Sequence, residues 1–318
     1  MTEEETTGED MTGASKDTPA RRFLHVCYCC RDTGPVTAFF VDGLAMRDTM
    51  RTPSERSPGA LLGIDGEIEG SASFVYDRRG PRTSPAIEIQ SWVDPPLAGT
   101  PSTDPFEVGV KALGFAVPDL AVAETRLTAM GSSLISSGPS PFGARCSMLV
   151  DATGVTLELV ENNALADDAT QMHHLRISCT DLAVSLPFYD QLGFSVVDRG
   201  SLTDASFVGL AEPVDAEYAR LRLPDEPFEV LLIQWNEPSS HGRHYTEPNH
   251  AGLFRAALGV DDTRGAYEAL TGAGMVFERA PIKVELRGTP VPDMWICFVN
   301  DPDGVAYEFV QRPRSAFR

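Results

Sequence analysis

The chain has 318 residues, of which 42% are hydrophobic, and its formal net charge is −20. This composition is typical of a globular protein, and the length is enough for about two domains that each bury a core. The charge disfavours nucleic acid and anionic membranes as partners and favours a small neutral substrate. No stretch approaches the roughly 18 apolar residues that a membrane-spanning helix needs.

The first segment, residues 1–20, contains six acidic residues, one lysine and few apolar residues. This pattern predicts a disordered acidic tail. The segment has neither the basic nor the apolar region of a signal peptide. The six cysteines of the chain lack the paired spacing of a disulfide framework, which indicates reduced thiols and a cytoplasmic protein.

Two later segments of the chain resemble each other. Residues 25–46 read HVCYCCRDTGPVTAFFVDGLAM, and residues 174–194 read HLRISCTDLAVSLPFYDQLGF. Each segment begins with a histidine in a strand-like run, reaches an aspartate seven residues later and continues as a short amphipathic helix. Asp32 and Asp181 are therefore predicted to be the N-caps of those helices.

A second pair of similar segments alternates with the first. Residues 104–119, DPFEVGVKALGFAVPD, align without gaps with residues 247–262, EPNHAGLFRAALGVDD. Further along, DATGVTLELVE at 151–161 matches DPDGVAYEFVQ at 301–311, and both read as a turn followed by a strand. These matches indicate an internal repeat.

The repeat predicts four units, which start near residues 22, 108, 171 and 251 and each consist of a strand, a helix and three strands. One such unit leaves a sheet face exposed, so units must pair. The predicted fold class is α+β, with four tandem βαβββ modules pairing into two cupped, barrel-like mixed sheets. The predicted organisation is a tail at 1–20, a first pair of modules at 21–161, a linker at 162–170 and a second pair of modules at 171–318.

The opening motif at 174–194 and the closing motif DPDGVAYEF at 301–309 resemble the vicinal oxygen chelate superfamily. This superfamily includes glyoxalase I, extradiol dioxygenases, methylmalonyl-CoA epimerase and bleomycin-resistance proteins. The resemblance covers residues 22–312. It implies a divalent metal ion held by a histidine on the first strand of a unit and a glutamate on its last strand, with the ion gripping two neighbouring substrate oxygens.

Carried over position by position, the resemblance implies a set of candidate metal ligands. They are His25, Glu88, Glu158, His174 and Glu308. Within this set, Glu158 and His174 are also the candidates for moving a proton. The donor set suits Zn²⁺, Mn²⁺, Fe²⁺, Co²⁺ or Ni²⁺.

Three positions depart from the family pattern. The first-strand position falls on Ala112 in unit two and on Arg255 in unit four, and the last-strand position of unit three falls on Leu232 or Val230. Arg255 stands where a ring-cleaving dioxygenase would need its second histidine. It is expected either to pair with Glu308 or to hold an anionic substrate oxygen.

The sequence leaves the pairing of the units open. Units one and two together would supply His25, Glu88 and Glu158, whereas units one and four would supply His25, Glu88 and Glu308. A homodimer, which we expect, would also allow units of two chains to mix. Any of these sites has three protein ligands and open coordination positions, the arrangement of a catalytic metal.

The predicted function is that of a metal-dependent epimerase or isomerase acting next to a ketone through a metal-chelated enediolate. The segments HVCYC and RGPRTSPAIEIQSW resemble the 2-epi-5-epi-valiolone epimerases of C7-cyclitol biosynthesis, which implies a neutral cyclic polyol or ketone as substrate and a place in antibiotic biosynthesis. One alternative is an extradiol-type dioxygenase or a glyoxalase-like lyase. Another is a non-catalytic small-molecule binding protein of the drug-resistance type.

Overall fold

The structure is a computed structural model that describes residues 19–167, 169–285 and 293–312. Most of the predicted acidic tail therefore lies outside the described residues. Among the helices of the described part, none is long and apolar enough to cross a membrane. The six cysteines are all unbridged and buried.

The first two repeats follow the predicted order of elements. Unit one contains β1 (Ala20–Cys30), α1 (Thr33–Ala38), which continues as a π-helical turn (Phe39–Gly43), β2 (Arg47–Pro58), β3 (Glu67–Tyr76) and β4 (Ala86–Ser91). Unit two contains β5 (Gly109–Val117), α2 (Leu120–Ala129), β6 (Ser133–Pro139), β7 (Arg145–Val150) and β8 (Thr156–Glu161).

The last two repeats have the same order. Unit three contains β9 (Gln171–Cys179), α3 (Leu182–Leu192), β10 (Ser195–Leu202), β11 (Asp215–Arg222) and β12 (Glu229–Glu237). Unit four contains β13 (Gly252–Val260), α4 (Thr263–Gly272), β14 (Ile282–Val284), β15 (Met294–Asn300) and β16 (Ala306–Gln311). The predicted fold of four βαβββ modules is confirmed.

Each of the four helices begins at an aspartate. The capping residues are Asp32, Asp119, Asp181 and Asp262, and each carboxylate accepts a hydrogen bond from a backbone N–H in the first turn. A carboxylate at this position satisfies a donor that the helix itself leaves unpaired. The N-cap predictions for Asp32 and Asp181 are confirmed.

The sixteen strands of the described residues form two eight-stranded mixed sheets. The first has the order β14-β15-β16-β13-β1-β4-β3-β2, and the second has the order β10-β11-β12-β9-β5-β8-β7-β6. Unit one therefore pairs with unit four, and unit two pairs with unit three. Each sheet draws strands from both sides of residues 162–170, and the role of that segment as an interdomain linker stays a prediction.

The two sheets have equivalent registers. In the first, His25 pairs with Ala86 on β4, two residues before Glu88, and Arg255 pairs with Ala306 on β16, two residues before Glu308. Arg255 is therefore the counterpart of His25 in unit four, as predicted.

In the second sheet, His174 pairs with Glu229 on β12, so the position equivalent to Glu88 is Leu231. The expectation that this position falls on Leu232 or Val230 is wrong by one residue. The error reverses the direction of the side chain, because successive residues of a strand face opposite sides.

One hydrophobic core lies between the two sheets. Phe23 of β1 contacts Phe228 before β12 with 4.6 Å between ring centroids, and Phe40 contacts Phe115 of β5 at 5.9 Å. In β1 the core residues Phe23, Val26 and Tyr28 flank His25, which instead lines a cavity. The face of each sheet that points away from this core carries different side chains in the two sheets.

Candidate metal centre

Four neighbouring strands at the centre of the first sheet bring the polar side chains together. His25 lies on β1, Glu88 on β4, Arg255 on β13 and Glu308 on β16, and β16, β13, β1 and β4 are adjacent in the sheet. Because side chains alternate across a strand, Gln90 shares the face of Glu88. These residues line one end of a large cavity.

The ligand atoms of His25, Glu88 and Glu308 all lie within 4.8 Å of one another. Nε2 of His25 is 3.4 Å from Oε2 of Glu88 and 3.5 Å from Oε2 of Glu308. This nitrogen is buried and has no hydrogen-bond partner among the residues that the structure describes. A buried polar atom without a partner is costly, and a cation placed among the three groups would satisfy it.

Arg255 bridges the two carboxylates of the same cluster. Its Nη2 donates to Oε2 of Glu88 at 2.8 Å, and its Nε donates to Oε2 of Glu308 at 2.9 Å. Its Nη1 donates to Oε1 of Gln90 at 3.3 Å. The expected pair with Glu308 is present, but the guanidinium joins both glutamates at once.

The charges at this site do not cancel. Burial by itself would raise the pKa of Glu308, but Arg255 and His25 outweigh burial and lower that pKa to about 2. Two carboxylates and one guanidinium give a formal charge of −2 + 1 = −1 when His25 is counted as neutral. An enclosed site with one excess negative charge favours a cation.

The cavity above this cluster has a volume of about 1200 Å³. Its walls combine apolar and polar side chains, among them Met50, Ile68, Phe74, Trp92, Met294 and Ile296 beside Thr52, Ser71 and Tyr76. A concave, largely apolar cavity with a few converging polar groups is typical of a small-molecule site.

The residues present fit a divalent metal ion. One imidazole nitrogen and two carboxylates form the cluster, and together they suit Zn²⁺, Mn²⁺, Fe²⁺, Co²⁺ or Ni²⁺. His25, Glu88 and Glu308 would hold the ion, and the cavity would admit the substrate.

The second sheet carries a related cluster that is completely buried. Nε2 of His174 lies 2.7 Å from Oε2 of Glu158, and Nε of Arg176 donates to Oε1 of Glu158 at 2.6 Å. Glu158 and His174 are each 0% exposed. Burial would raise the pKa of Glu158, but Arg176 and His174 lower it to about 2. One carboxylate and one guanidinium give a formal charge of −1 + 1 = 0.

Side chains fill the space that the first sheet leaves open. Phe142 packs on the rings of His173 and His174, with centroid distances of 4.6 and 4.4 Å. A buried apolar cluster covers the rest of this face, including Met148, Leu202, Phe207, Val208, Leu231 and Trp235. Burial lowers the pKa of His173 to about 3, so this imidazole is neutral near pH 7.

A glycine makes room for the buried histidine. A Cβ atom added to Gly114 would lie 2.0 Å from the imidazole of His174, which is far inside contact distance. Gly114 lies opposite His174 in the sheet, whereas Ala257 lies opposite His25 in the first sheet. The two histidine positions are thus equivalent in register but differ in the space beside them.

The five predicted ligands therefore fall into two groups. His25, Glu88 and Glu308 converge at the cavity, while Glu158 and His174 pair with each other in the second sheet. The metal-binding and proton-transfer roles of Glu158 and His174 stay predictions. Gln90 was missed by the sequence analysis, although its spacing of two residues from Glu88 places it on the same face.

Residues 171–309 match the family model of the Glyoxalase/Bleomycin resistance protein/Dioxygenase superfamily. No curated protein matches the chain significantly. Among solved structures, glyoxalase I from Zea mays is similar with a TM-score of 0.69 and 17% identity, covering 93% of each chain. A putative dioxygenase from Bacillus subtilis subsp. subtilis str. 168 has a TM-score of 0.58 and 12% identity, covering 93% of this chain and 87% of that one.

The chain has the same fold as glyoxalase I from Zea mays, and its convergent His and Glu side chains form a candidate metal centre. The family match covers residues 171–309, less than half of the chain, and agrees with the predicted resemblance for that part, while the similar solved structures show the same fold along most of the chain.

Proposed function

We propose that the chain is a metal-dependent epimerase or isomerase that acts at the carbon next to a ketone on a small neutral cyclic polyol, such as 2-epi-5-epi-valiolone, in natural-product biosynthesis. The observation that carries the proposal is the convergence of His25, Glu88 and Glu308 at the end of an open cavity. The subclass and the substrate come from the resemblance of the unit-one sequence to valiolone epimerases.

In this proposal His25, Glu88 and Glu308 hold a divalent ion. When bound, the ion supplies Lewis-acid polarisation of neighbouring substrate oxygens, which weakens the adjacent C–H bond. Arg255 fixes the directions of the two carboxylates from the side, and Gln90 accepts a further hydrogen bond from the same guanidinium. The apolar walls of the cavity reduce the access of water to the reacting carbon.

Glu88 is the better placed of the two carboxylates to accept and return the substrate proton. Its side chain is 12% exposed, against 6% for Glu308, and it lies in the cavity wall. An epimerase needs a base that can give the proton back after the carbon becomes planar. Return of the proton by Glu88 to the same face regenerates the substrate. Delivery of a solvent proton to the opposite face inverts that carbon, and Glu88 then releases its own proton to solvent.

The donor set argues against the dioxygenase alternative. Non-haem iron oxygenases typically use two histidines and one carboxylate. The cavity cluster has one histidine and two carboxylates, with Arg255 at the position of the second histidine. The drug-binding alternative is less favoured, because burying the charged groups of this cluster costs free energy and a binding protein without a metal ion gives no reason for that cost.

The test is exchange of the substrate proton with solvent. The protein, 2-epi-5-epi-valiolone and each of the five divalent ions are incubated in D₂O, and deuterium at the carbon next to the ketone is followed by NMR. We expect metal-dependent exchange that is lost in His25→Ala and retained in His241→Ala, a surface control whose side chain is 57% exposed. Consumption of O₂ with ring cleavage would instead establish a dioxygenase, and binding without any turnover would favour a binding protein.

The homodimer and the cytoplasmic location stay predictions. The oligomeric state is measured by light scattering on the purified protein, and a monomer that retains full exchange activity would contradict the expected dimer.

A further inference from the structure

Arg255 occupies the position in unit four that His25 occupies in unit one. Both residues pair with an alanine two residues before a cavity glutamate. Arg255 therefore places a permanent positive charge at the position in unit four where a second metal ligand could stand. The side chain of Arg255 is 6% exposed, so solvent screens that charge poorly.

The guanidinium and a metal ion would use the same carboxylate atoms. Arg255 contacts Oε2 of both Glu88 and Glu308, and these are the oxygen atoms closest to Nε2 of His25. Two carboxylates this close would repel each other without a cation between them. Arg255 holds them together and at the same time opposes a second cation beside them.

The second sheet shows the effect of one arginine on one carboxylate. Arg176 and Glu158 balance each other there, and the cluster is closed by packing. In the first sheet one arginine serves two carboxylates, so the site keeps an excess negative charge and room for an ion.

We propose that Arg255 is a positioning residue that holds Glu88 and Glu308 together in the metal-free protein and weakens divalent metal binding, so that the ion exchanges readily. This inference rests on the metal site of the proposed function. In this proposal Arg255 does not contact the substrate and changes only the affinity of the protein for the metal ion.

The experiment is a calorimetric titration of the full chain with Co²⁺ alone, in wild type, Arg255→Gln and Arg255→Lys. We expect Arg255→Gln to bind Co²⁺ about tenfold more tightly or better, because a nearby positive charge is removed. We expect Arg255→Lys, which keeps the charge, to stay within about threefold of wild type. The metal-free Arg255→Gln protein should also melt at a lower temperature and regain most of that loss when Co²⁺ is added.

The outcomes separate this inference from the proposed metal site. If neither wild type nor Arg255→Gln binds Co²⁺, the proposed metal site is wrong, and the proposed role of Arg255 is wrong as well. Equal or weaker binding by Arg255→Gln, with wild-type binding intact, would overturn the role of Arg255 alone. If Arg255→Gln does not fold without metal, refolding with Co²⁺ should restore it, and failure in both conditions would count against the inference. Arg199→Gln is the control, because it removes an exposed arginine outside both clusters, and its affinity for Co²⁺ should equal that of wild type.

Discussion

The first and second sheets share strand order and register but differ in the net charge of their polar clusters and in the space beside them. At the centre of the first, two carboxylates share one arginine beside an open cavity of about 1200 Å³. At the centre of the second, one carboxylate has its own arginine, and apolar side chains fill the space. The same scaffold therefore holds a site that favours a cation and a site that is already neutral.

A small number of positions account for this difference. Leu231 stands at the position equivalent to Glu88 and removes one negative charge from the second sheet. Gly114 replaces the equivalent Ala257 and gives His174 the room to pack deep beside Glu158. The two clusters therefore differ in their net charge and in whether side chains occupy the space beside them, and not in the arrangement of their strands.

The largest expected effect is on metal binding. His25→Ala should weaken Co²⁺ binding by more than about a hundredfold, since loss of even an outer-shell partner of a metal ligand costs about 10- to 100-fold. His174→Ala should leave a metal content close to one ion per chain. Metal analysis and calorimetry measure both. Loss of the ion from His174→Ala would show that the second sheet contributes to binding and would break the distinction between the two clusters.

The next effect is on stability in the second sheet. Arg176→Met leaves the completely buried Glu158 without its guanidinium, and we expect a loss of about 3–5 kcal/mol in the free energy of unfolding. Urea denaturation measures it. Adding Glu158→Gln to the variant removes the unpaired charge and should recover much of the loss. A loss below about 1 kcal/mol in the single variant would mean that water reaches Glu158.

Acid should destabilise the protein through the second cluster. The pKa of Glu158 is lowered to about 2, so this group contributes stability above its ordinary pKa near 4.5, and that contribution, about 3 kcal/mol, is lost as the pH falls toward 2. The pKa of His173 is lowered to about 3, so its contribution is lost as the pH falls from about 6.5 toward 3. Burial raises the pKa of Asp301 to about 7, which acts in the opposite direction between pH 7 and 4, so the fall in stability in urea denaturation should be clearest below pH 4.5. Glu158→Gln should make the fall below pH 4.5 less steep, while Glu308, whose pKa is also lowered to about 2, continues to contribute to it. An unchanged slope there would contradict the assignment.

The smallest expected effect compares two equivalent backbone positions. Gly114→Ala forces a Cβ atom against the His174 ring and should cost about 2 kcal/mol, within the usual range for overpacking. Ala257→Gly in the first sheet should cost less than about 1 kcal/mol, which is the ordinary price of glycine in a strand. Thermal or urea unfolding of both variants measures the difference. Equal losses would show that the space beside the two histidines does not distinguish the sheets.

The repeat made the fold predictable from the sequence. Histidine and aspartate at fixed spacing marked the units, and the turn motifs at 151–161 and 301–311 marked the last strands. The family resemblance also implied that His25 and Glu88 hold the same metal ion. These features are local, so a single sequence carries them.

The pairing of units and the state of each cluster were not predictable. Whether His25 lies near Glu158 or Glu308 depends on contacts between strands that are far apart in the chain, and local sequence patterns do not predict such contacts. The burial of Glu158 depends on side chains from β7, β10, β12 and the segment between β10 and β11 that pack against it. The position of Leu231 was not predicted because β12 contains an uninterrupted apolar run from Val230 to Ile233, which does not indicate which residues share a face.

The order of the strands has a consequence for how the protein is made. The second sheet consists of β5 to β12, one uninterrupted stretch of chain from residue 109 to residue 237, and it lies in sequence between the two units of the first sheet. During synthesis from the N-terminus, this inner sheet is complete before β13 leaves the ribosome, while unit one waits for its partner. The candidate metal centre can therefore assemble only after Arg255 and Glu308 have been added, when every strand of the second sheet has already been synthesised.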